Sequence, residues 1–387
     1  MPEAYIVEAV RTAGGRRNGA LSDWHTADMA GEVLNALLDR TGIAPDAIED
    51  VVLGCVTQAG EQGFAFARNA VLASRLPQSV PAVTVDRQCG SSQQALQFAA
   101  QAVMSGTQDV VIAAGGESMS RVPMFTNISL HQREGLGIGP FSDRIRRRFG
   151  VDTFSQFEGA EMVASKHGLD RDALDRFALQ SHQRASAATA SKRFAGQIVP
   201  LQTAGGLHLH DEGIRNDATI EAIGAVKLLK EGGVITAANS SQICDGASAV
   251  LVANERGLKA HGLSPIARIV NMTVTAGDPV IMLEEPIFAT RKALARAGMS
   301  LDDIDLYEVN EAFASVPLAW LKALGANPDK LNVNGGAIAL GHPLGATGTK
   351  LMATLIHELR ARGKRHGLLA ICEGGGTANV TIVEALS

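Results

Sequence analysis

Three short stretches, far apart in the chain, carry the residue types of a single chemistry. They are Asp86-Arg87-Gln88-Cys89-Gly90-Ser91-Ser92, Gly341-His342-Pro343-Leu344-Gly345 and Cys372-Glu373-Gly374-Gly375-Gly376. Each sets a cysteine or a histidine against glycine, where the backbone turns tightly and a substrate can approach the main chain. A cysteine activated by a nearby histidine is one way to form a covalent acyl intermediate. A second cysteine in a glycine-rich turn adds a proton donor and acceptor, which a simple hydrolase does not need. The combination points to acyl transfer between thiols.

Each residue has a bland reading beside the chemical one. Cys89 follows an apolar run and precedes a helix-period segment starting near Ser91. At a helix N-terminus the dipole is expected to lower its pKa, and its backbone N–H is free to bond a developing oxyanion. A lone cysteine is more often structural; the strand–Cys-Gly-Ser-Ser–helix context favours function. His342 precedes Pro343, which pushes it out of helical geometry and into a turn where it serves as base or hydrogen-bond donor. Cys372 closes an apolar strand, and a thiol that starts near pKa ~8.5 can both give and take a proton. The Gly374 N–H is placed to complete an oxyanion pocket with that of Cys89. Asn310, in Asn310-Glu311-Ala312-Phe313-Ala314, is either a helix N-cap or an amide that holds a water over the reacting carbonyl. Cys55 and Cys244 read as small apolar residues at strand ends. His208 and His210 read as part of a solvated loop rather than a metal site, since no further ligands lie nearby in sequence.

The whole-chain numbers agree with a soluble enzyme. A length of 387 residues implies two or three sub-domains. Hydrophobic content of 46% with 19% charged residues is ordinary for a globular protein, and 4% aromatics leaves Ala, Val, Leu and Ile to build the core. A net charge of −5 gives no general attraction to nucleic acid or anionic membrane. One basic run, Arg144-Ile145-Arg146-Arg147-Arg148, is either a solvated face or a site that meets phosphates. None of the four cysteines forms a C-x-x-C pair, so neither zinc nor a dithiol motif is implied. Met1 to Val10 lacks the features of a secretory signal, and no stretch reaches the length of a membrane span. A reducing cytoplasm is the expected setting.

The elements that must position these residues alternate. Tyr5–Val10, Asp50–Val56, Ala82–Asp86 and Val110–Ala114 read as buried strands, with helices at Asp28–Arg40, Phe66–Ser74 and Ser92–Met104 between them. The alternation implies a parallel sheet covered on both faces. A second set follows: strands at Ile266–Thr275, Asp305–Val309 and Leu368–Cys372, helices at Pro286–Ala297, Ala312–Leu324 and Gly345–Arg360. Gly42 to Glu49 can be laid over Gly298 to Asp305, and Val110 to Gly116 over Leu368 to Gly374, so the chain reads as two similarly folded halves. From Ser118 to about Gly159 there is little periodicity, followed by helices at Glu158–His167 and Arg171–Ser191; this excursion is assigned to a loop domain covering the site. The expected division is residues 1–117, completed by 247–262, then 118–246, then 263–387.

Together these stretches resemble the thiolase family, from Ile6 through Ala385. The likeness rests on Cys-Gly-Ser-Ser at 89–92, Asn-Glu-Ala-Phe at 310–313, the run from Gly335 to Ala346 and Cys-x-Gly-Gly-Gly at 372–376. It implies two βαβαβαββ halves packed as a five-layered α/β/α/β/α core, with an inserted loop domain. It implies thiolytic cleavage of a 3-oxoacyl-CoA by CoA, reversible as a Claisen condensation, with Cys89 acylated, His342 activating it and Cys372 as acid and base. Asn310 would hold an oxyanion-hole water, Gly374 would supply a backbone donor, and Ser241, in Asn239-Ser240-Ser241-Gln242, would contact CoA. CoA enters as a substrate, with no permanently bound cofactor and no metal. The partners implied are acyl-CoA and a further copy of the chain, as a dimer or tetramer, with no nucleic acid or membrane. Phe154-Ser155-Gln156-Phe157-Glu158-Gly159 replaces the His-Met-Gly segment of many acetoacetyl-CoA thiolases. The wording around Cys89 and Cys372 looks most like thiolases of actinobacterial lipid and sterol breakdown, so a bulky 3-oxoacyl-CoA is expected. The alternatives are an acetoacetyl-CoA-forming biosynthetic thiolase or a catalytically inactive CoA- or lipid-binding protein. A decarboxylating ketoacyl synthase would have histidines in place of Cys372.

Overall fold

A computed structural model describes residues 2–386. Nine principal strands are labelled here in chain order. β1 is Tyr5–Thr12, β2 Asp50–Gly54, β3 Ala82–Val85, β4 Val110–Ser118 and β5 Cys244–Ala253. β6 is Ala267–Ala276, β7 Leu306–Val309, β8 His366–Glu373 and β9 Thr377–Ala385. The first five pair in the order β1-β5-β4-β2-β3, and the last four in the order β7-β8-β9-β6. A ladder of two residue pairs, Tyr5 with Arg268 and Ile6 with Ala267, joins β1 to β6 and the two groups to each other.

The two groups repeat one another. Beside β7, where the first half has its edge strand β3, the second half keeps a single parallel bridge between Tyr307 and Leu331. Restoring that position gives both halves the same strand order. The sheets are mixed, which corrects the parallel reading. The β2–β3, β2–β4 and β7–β8 pairs are parallel, whereas β4–β5, β5–β1, β6–β9 and β8–β9 are antiparallel. Only Gly374, Gly375 and Gly376 separate β8 from β9, and so short a link permits nothing but an antiparallel return.

Period-two burial on both sheet faces produces the layers. On β4, Val110, Ile112 and Ala114 face the helices α1 (Thr26–Thr41) and α2 (Phe66–Ala73), while Val111 and Ala113 face the opposite way. On β8, Leu368 and Ala370 face α8 (Glu285–Ala297) and α9 (Ser315–Leu324), while Leu369 and Ile371 face inward. The two inner faces close on α3 (Ser91–Ser105) and α10 (Thr347–Ala361), whose Leu96, Ala99, Val103, Met352, Leu355 and Ile356 share one core. The stack is therefore α1 and α2, first sheet, α3 and α10, second sheet, α8 and α9. Strands buried on both faces read as continuous apolar runs, as β4 and β8 do.

The helices α3 and α10 occupy matching places in the two halves and meet closely. A Cβ on Gly348 would collide with the Gln93 backbone nitrogen, and one on Gly115 with the Gly345 carbonyl. Between β4 and β5 the chain makes its excursion. It contains α4 (Thr126–Glu134) and α5 (Asp143–Phe149), neither expected from the sequence, then α6 (Gln156–Lys166) and α7 (Arg171–Ala190). Phe154 gathers Phe141 and Phe149 edge-on at 5.3 and 5.6 Å. The basic run lies on α5 with Arg144, Arg147 and Arg148 exposed. His208 is buried, not solvated: its Nε2 lies 3.2 Å from the Ala13 carbonyl oxygen, a bond that anchors the hairpin Leu201–His208.

Candidate functional site

The turn from β3 into α3 carries Cys89. Asp86 Oδ1 accepts from the Gln88 N–H at 2.7 Å, and Ser91 Oγ accepts from the Arg87 N–H at 2.9 Å while donating to the Gln88 carbonyl at 2.6 Å. These bonds hold Gln88 at a φ of 47°, a left-handed conformation that costs a non-glycine residue of order ~1 kcal/mol or more. The outcome is a sharp elbow that delivers Cys89 and Gly90 to the head of α3. The helix does begin at Ser91, as expected, yet the lowered thiol pKa does not follow. Burial pushes the Cys89 thiol up to about 12, and the nearby Glu373, Asp86 and Glu117 carboxyls add to the effect. Complete desolvation outweighs one helix end.

The turn leading to α10 carries His342, which is 3% exposed. Its backbone N–H donates to the Gln242 carbonyl at 3.1 Å. On the ring, Nδ1 lies 2.5 Å from Thr347 Oγ1, and that hydroxyl donates its own proton to the Pro343 carbonyl at 2.9 Å. The hydroxyl must therefore accept from Nδ1–H, which leaves Nε2 unprotonated, with its lone pair toward Asn310 Nδ2. Burial, followed by the Lys350 ammonium, pushes the imidazole down to about 3, so the ring is neutral at any physiological pH. Lys350 is itself buried, with Nζ donating to the Leu340 and Gly341 carbonyls at 2.6 and 2.8 Å just behind the histidine. A neutral imidazole with an unprotonated Nε2 is a proton acceptor.

Asn310 joins this group from the other side. Its Nδ2 stands 3.4 Å from His342 Nε2, and its Oδ1 is buried with no hydrogen-bond partner among the described residues. A bare buried amide oxygen is costly, so Oδ1 is the acceptor available to a water or a substrate group. Asn310 is not an N-cap: α9 starts at Ser315, later than its expected Ala312. The residues between run alongside 239–241 instead, with Ser241 N–H donating to the Ala312 carbonyl at 3.0 Å and Ala314 N–H to the Asn239 carbonyl at 2.8 Å. Ser241 thus sits half-buried beside the Asn310 segment, one residue from the Gln242 carbonyl that holds His342.

Cys372 is the next-to-last residue of β8, 1% exposed, and the Cys89 turn lies against it. A Cβ on Gly90 would collide with Glu373 Oε1, and one on Gly374 would press on the Gln88 side chain. Burial raises the Cys372 thiol well above its ordinary value, with Cys89 and Glu373 contributing next. Both sulfurs are therefore thiols at rest, not the partly ionised groups expected from free cysteine. Cys55 and Cys244 are buried and unpaired as well, Cys244 packing against Gly14 and Gly341. Among the described residues there is no group of three His, Cys, Asp or Glu side chains placed to hold a metal.

Sequence reading missed the residues that support this cluster. Glu117, at the end of β4, accepts from the N–H groups of Val56, Thr57 and Gly345 at 2.9, 3.0 and 2.9 Å and from Gln62 Nε2 at 2.8 Å. It ties the first half to the loop that follows His342. Thr347 and Lys350 do the same for His342 itself, and their spacing of five and eight residues from it was the only signal available.

The same architecture is found in known proteins. Family models described as "Thiolase, N-terminal domain" and "Thiolase, C-terminal domain" match residues 4–256 and 263–385. The steroid 3-ketoacyl-CoA thiolase FadA6 of Mycobacterium tuberculosis is 50% identical, over 100% of this chain and 95% of its own. A 3-ketoacyl-CoA thiolase of Aliivibrio fischeri is 41% identical over 99% of this chain and 100% of its own. The crystal structure of the Bacillus anthracis acetyl-CoA acetyltransferase superposes with a TM-score of 0.91 at 36% identity, covering 100% of this chain and 99% of that one. Human mitochondrial 3-ketoacyl-CoA thiolase gives 0.89 at 35% identity, with the same coverage.

Proposed function

The chain belongs to the thiolase family, and from that premise we propose a division of labour among its residues in the CoA-dependent cleavage of 3-oxoacyl-CoA. The Cys89 sulfur attacks the 3-oxo carbonyl as its proton passes to His342 Nε2. A thiol pushed up to about 12 and an imidazole held near 3 do not ionise in advance, so proton transfer accompanies S–C bond formation. The tetrahedral oxyanion then collapses, the C2–C3 bond breaks, and its electron pair leaves as the acetyl-CoA enolate. Cys372 S–H protonates C2 and is left as thiolate. It next takes the proton of incoming CoA, whose sulfur attacks the acyl group on Cys89. As the acyl-CoA leaves, the Cys89 sulfur recovers its proton from His342. The backbone N–H groups of Cys89 and Gly374, and a water accepted by Asn310 Oδ1, are the proposed oxyanion donors, each worth about 3 kcal/mol of barrier.

The observation that carries this reading is convergence: the Gly90 and Glu373 contact joins the two cysteine segments, the 3.4 Å approach of Asn310 to His342 joins the other two, and the Thr349 N–H, donating to Ser92 Oγ at 3.1 Å, ties the pairs together. Mass spectrometry after exposure to a 3-oxoacyl-CoA should find the acyl adduct on the peptide containing Cys89. Cys89→Ser should show none and lose cleavage by at least about 10³-fold, since a hydroxyl is far harder to ionise. An adduct on another residue, or turnover near wild type in the variant, ends the proposal.

Support for a long or ring-bearing acyl group comes from the steroid thiolase at 50% identity and from the loop domain. There Phe157, on α6, meets Phe313 edge-on at 5.7 Å beside a cleft of about 290 Å³ lined by Glu161, Leu229 and Ile235. No described helix is long and apolar enough to cross a membrane, and four unpaired cysteines suit a reducing compartment such as the cytoplasm. CoA is a passing substrate in this scheme, and Ser241 its proposed contact. Association with further copies of the chain is also proposed.

A further inference from the structure

One buried acid has no part in the scheme above, yet it touches the turn of the nucleophile. Glu373, the last residue of β8, is wholly buried between that turn and β9. Its Oε2 accepts from Thr377 Oγ1 at 2.7 Å. Its Oε1 has no hydrogen-bond partner among the described residues and lies where a side chain on residue 90 would have to go. Gly90 is needed at that spot because the carboxyl occupies it.

We propose that Glu373 is a positioning residue for the two thiols: seated on the bare Cα of Gly90, its carboxyl ties the Cys89 turn to the end of β8 and governs how readily Cys89 and Cys372 give up their protons. This rests on the reading that Cys89 is the nucleophile. Across the second sheet, Thr377 Oγ1 and the Asn379 N–H face the carboxyl; from the elbow, Arg87, Asp86 and Cys89 do; on its own strand, Cys372 does. Burial dominates this set and raises the carboxyl to about 8, against the opposing Thr377 bond, Arg87 and Asn379 and with the help of Asp86. Because Oε2 is engaged by Thr377, the proton resides on Oε1, the oxygen over Gly90. While it stays there the thiols have a neutral neighbour. Once it leaves, a fixed negative charge stands beside both sulfurs and opposes their ionisation.

The test uses the intact protein and does not depend on turnover. Cys89 is alkylated with iodoacetamide from pH 6 to 9.5, and the rate is read from the Cys89 peptide. Glu373→Gln keeps the shape of the protonated acid and cannot ionise. The ratio of the variant's rate to the wild type's should be near one at pH 6.5 and rise to ~10-fold by pH 9.5, the effect of removing one adjacent like charge. A ratio constant with pH, whatever its value, means the carboxyl is structural only and overturns the proposal. If Glu373→Gln does not fold, the wild-type profile decides: a flattening near pH 8 is expected, and the unbroken rise of a single thiol overturns it. Because alkylation needs no acyl-CoA, its outcome is separable from failure of the acyl-Cys89 mechanism, which the adduct experiment reads.

Discussion

The lone pair on His342 Nε2 exists because Thr347 accepts the proton on Nδ1 and passes its own to Pro343. Thr347→Val removes that acceptor and frees the ring to carry its proton on the wrong nitrogen. We expect kcat/KM to fall about tenfold, ~1.4 kcal/mol, with KM almost unchanged, since a hydrogen bond to a reacting group is lost and not a contact to substrate. Thr347→Ser should restore most of the loss; equal losses in both variants would trace the effect to packing. The two cysteines separate in a different way. Cys372→Ala should still accept an acyl group from a simple acyl-CoA on Cys89, yet fail to exchange tritium at the acetyl methyl of acetyl-CoA and fail in thiolysis. Full exchange in that variant would show that another group moves the proton.

At the scale of elements, the excursion between β4 and β5 is proposed to set what enters. With α6 opening at Gln156 and Phe157 packed on Phe313, the segment from Ser155 to Gly159 has neither the sequence nor the side chains of a His-Met-Gly wall. Measured kcat/KM for a long or ring-bearing 3-oxoacyl-CoA should exceed that for acetoacetyl-CoA by at least about tenfold, ~1.4 kcal/mol of transition-state binding. A preference for acetoacetyl-CoA would return the protein to the short-chain class. Most core elements could be read from sequence to within a few residues, because apolar runs and glycine punctuation mark them. β5 and β9 could not: Cys244-Asp245-Gly246-Ala247-Ser248 looks like loop, and Thr377–Ala385 is buried on both faces and shows no alternation. α4 and α5 escaped for the opposite reason, since neither buries a residue and so neither carries an apolar stripe. Within the site, Cys89, His342 and Cys372 stood out by their glycine settings, and Asn310 by its place between an expected strand and an expected helix. Glu117 and Glu373 did not, because each acts on a partner more than 200 residues away, and no local pattern encodes that.

For the molecule as a whole, the first sheet ends on β3, whose Val83 is 49% exposed at an edge with unpaired backbone groups, and Phe64, in the loop before α2, is almost fully exposed. Such an edge invites a second copy. The protein should sediment well above one 40.5 kDa chain, and Val83→Lys should shift it toward that mass. A wild type that sediments as a single chain would refute this. The repeat within the chain bears on the chemistry as well. Cys89 lies two residues before α3 and His342 five residues before α10, the helices that occupy matching places in the two halves. In a symmetric pair of identical chains the two turns would carry the same residues, and a thiol would face a thiol. With both halves in one chain each turn has its own sequence, so one helix head can present a thiol and the other an imidazole.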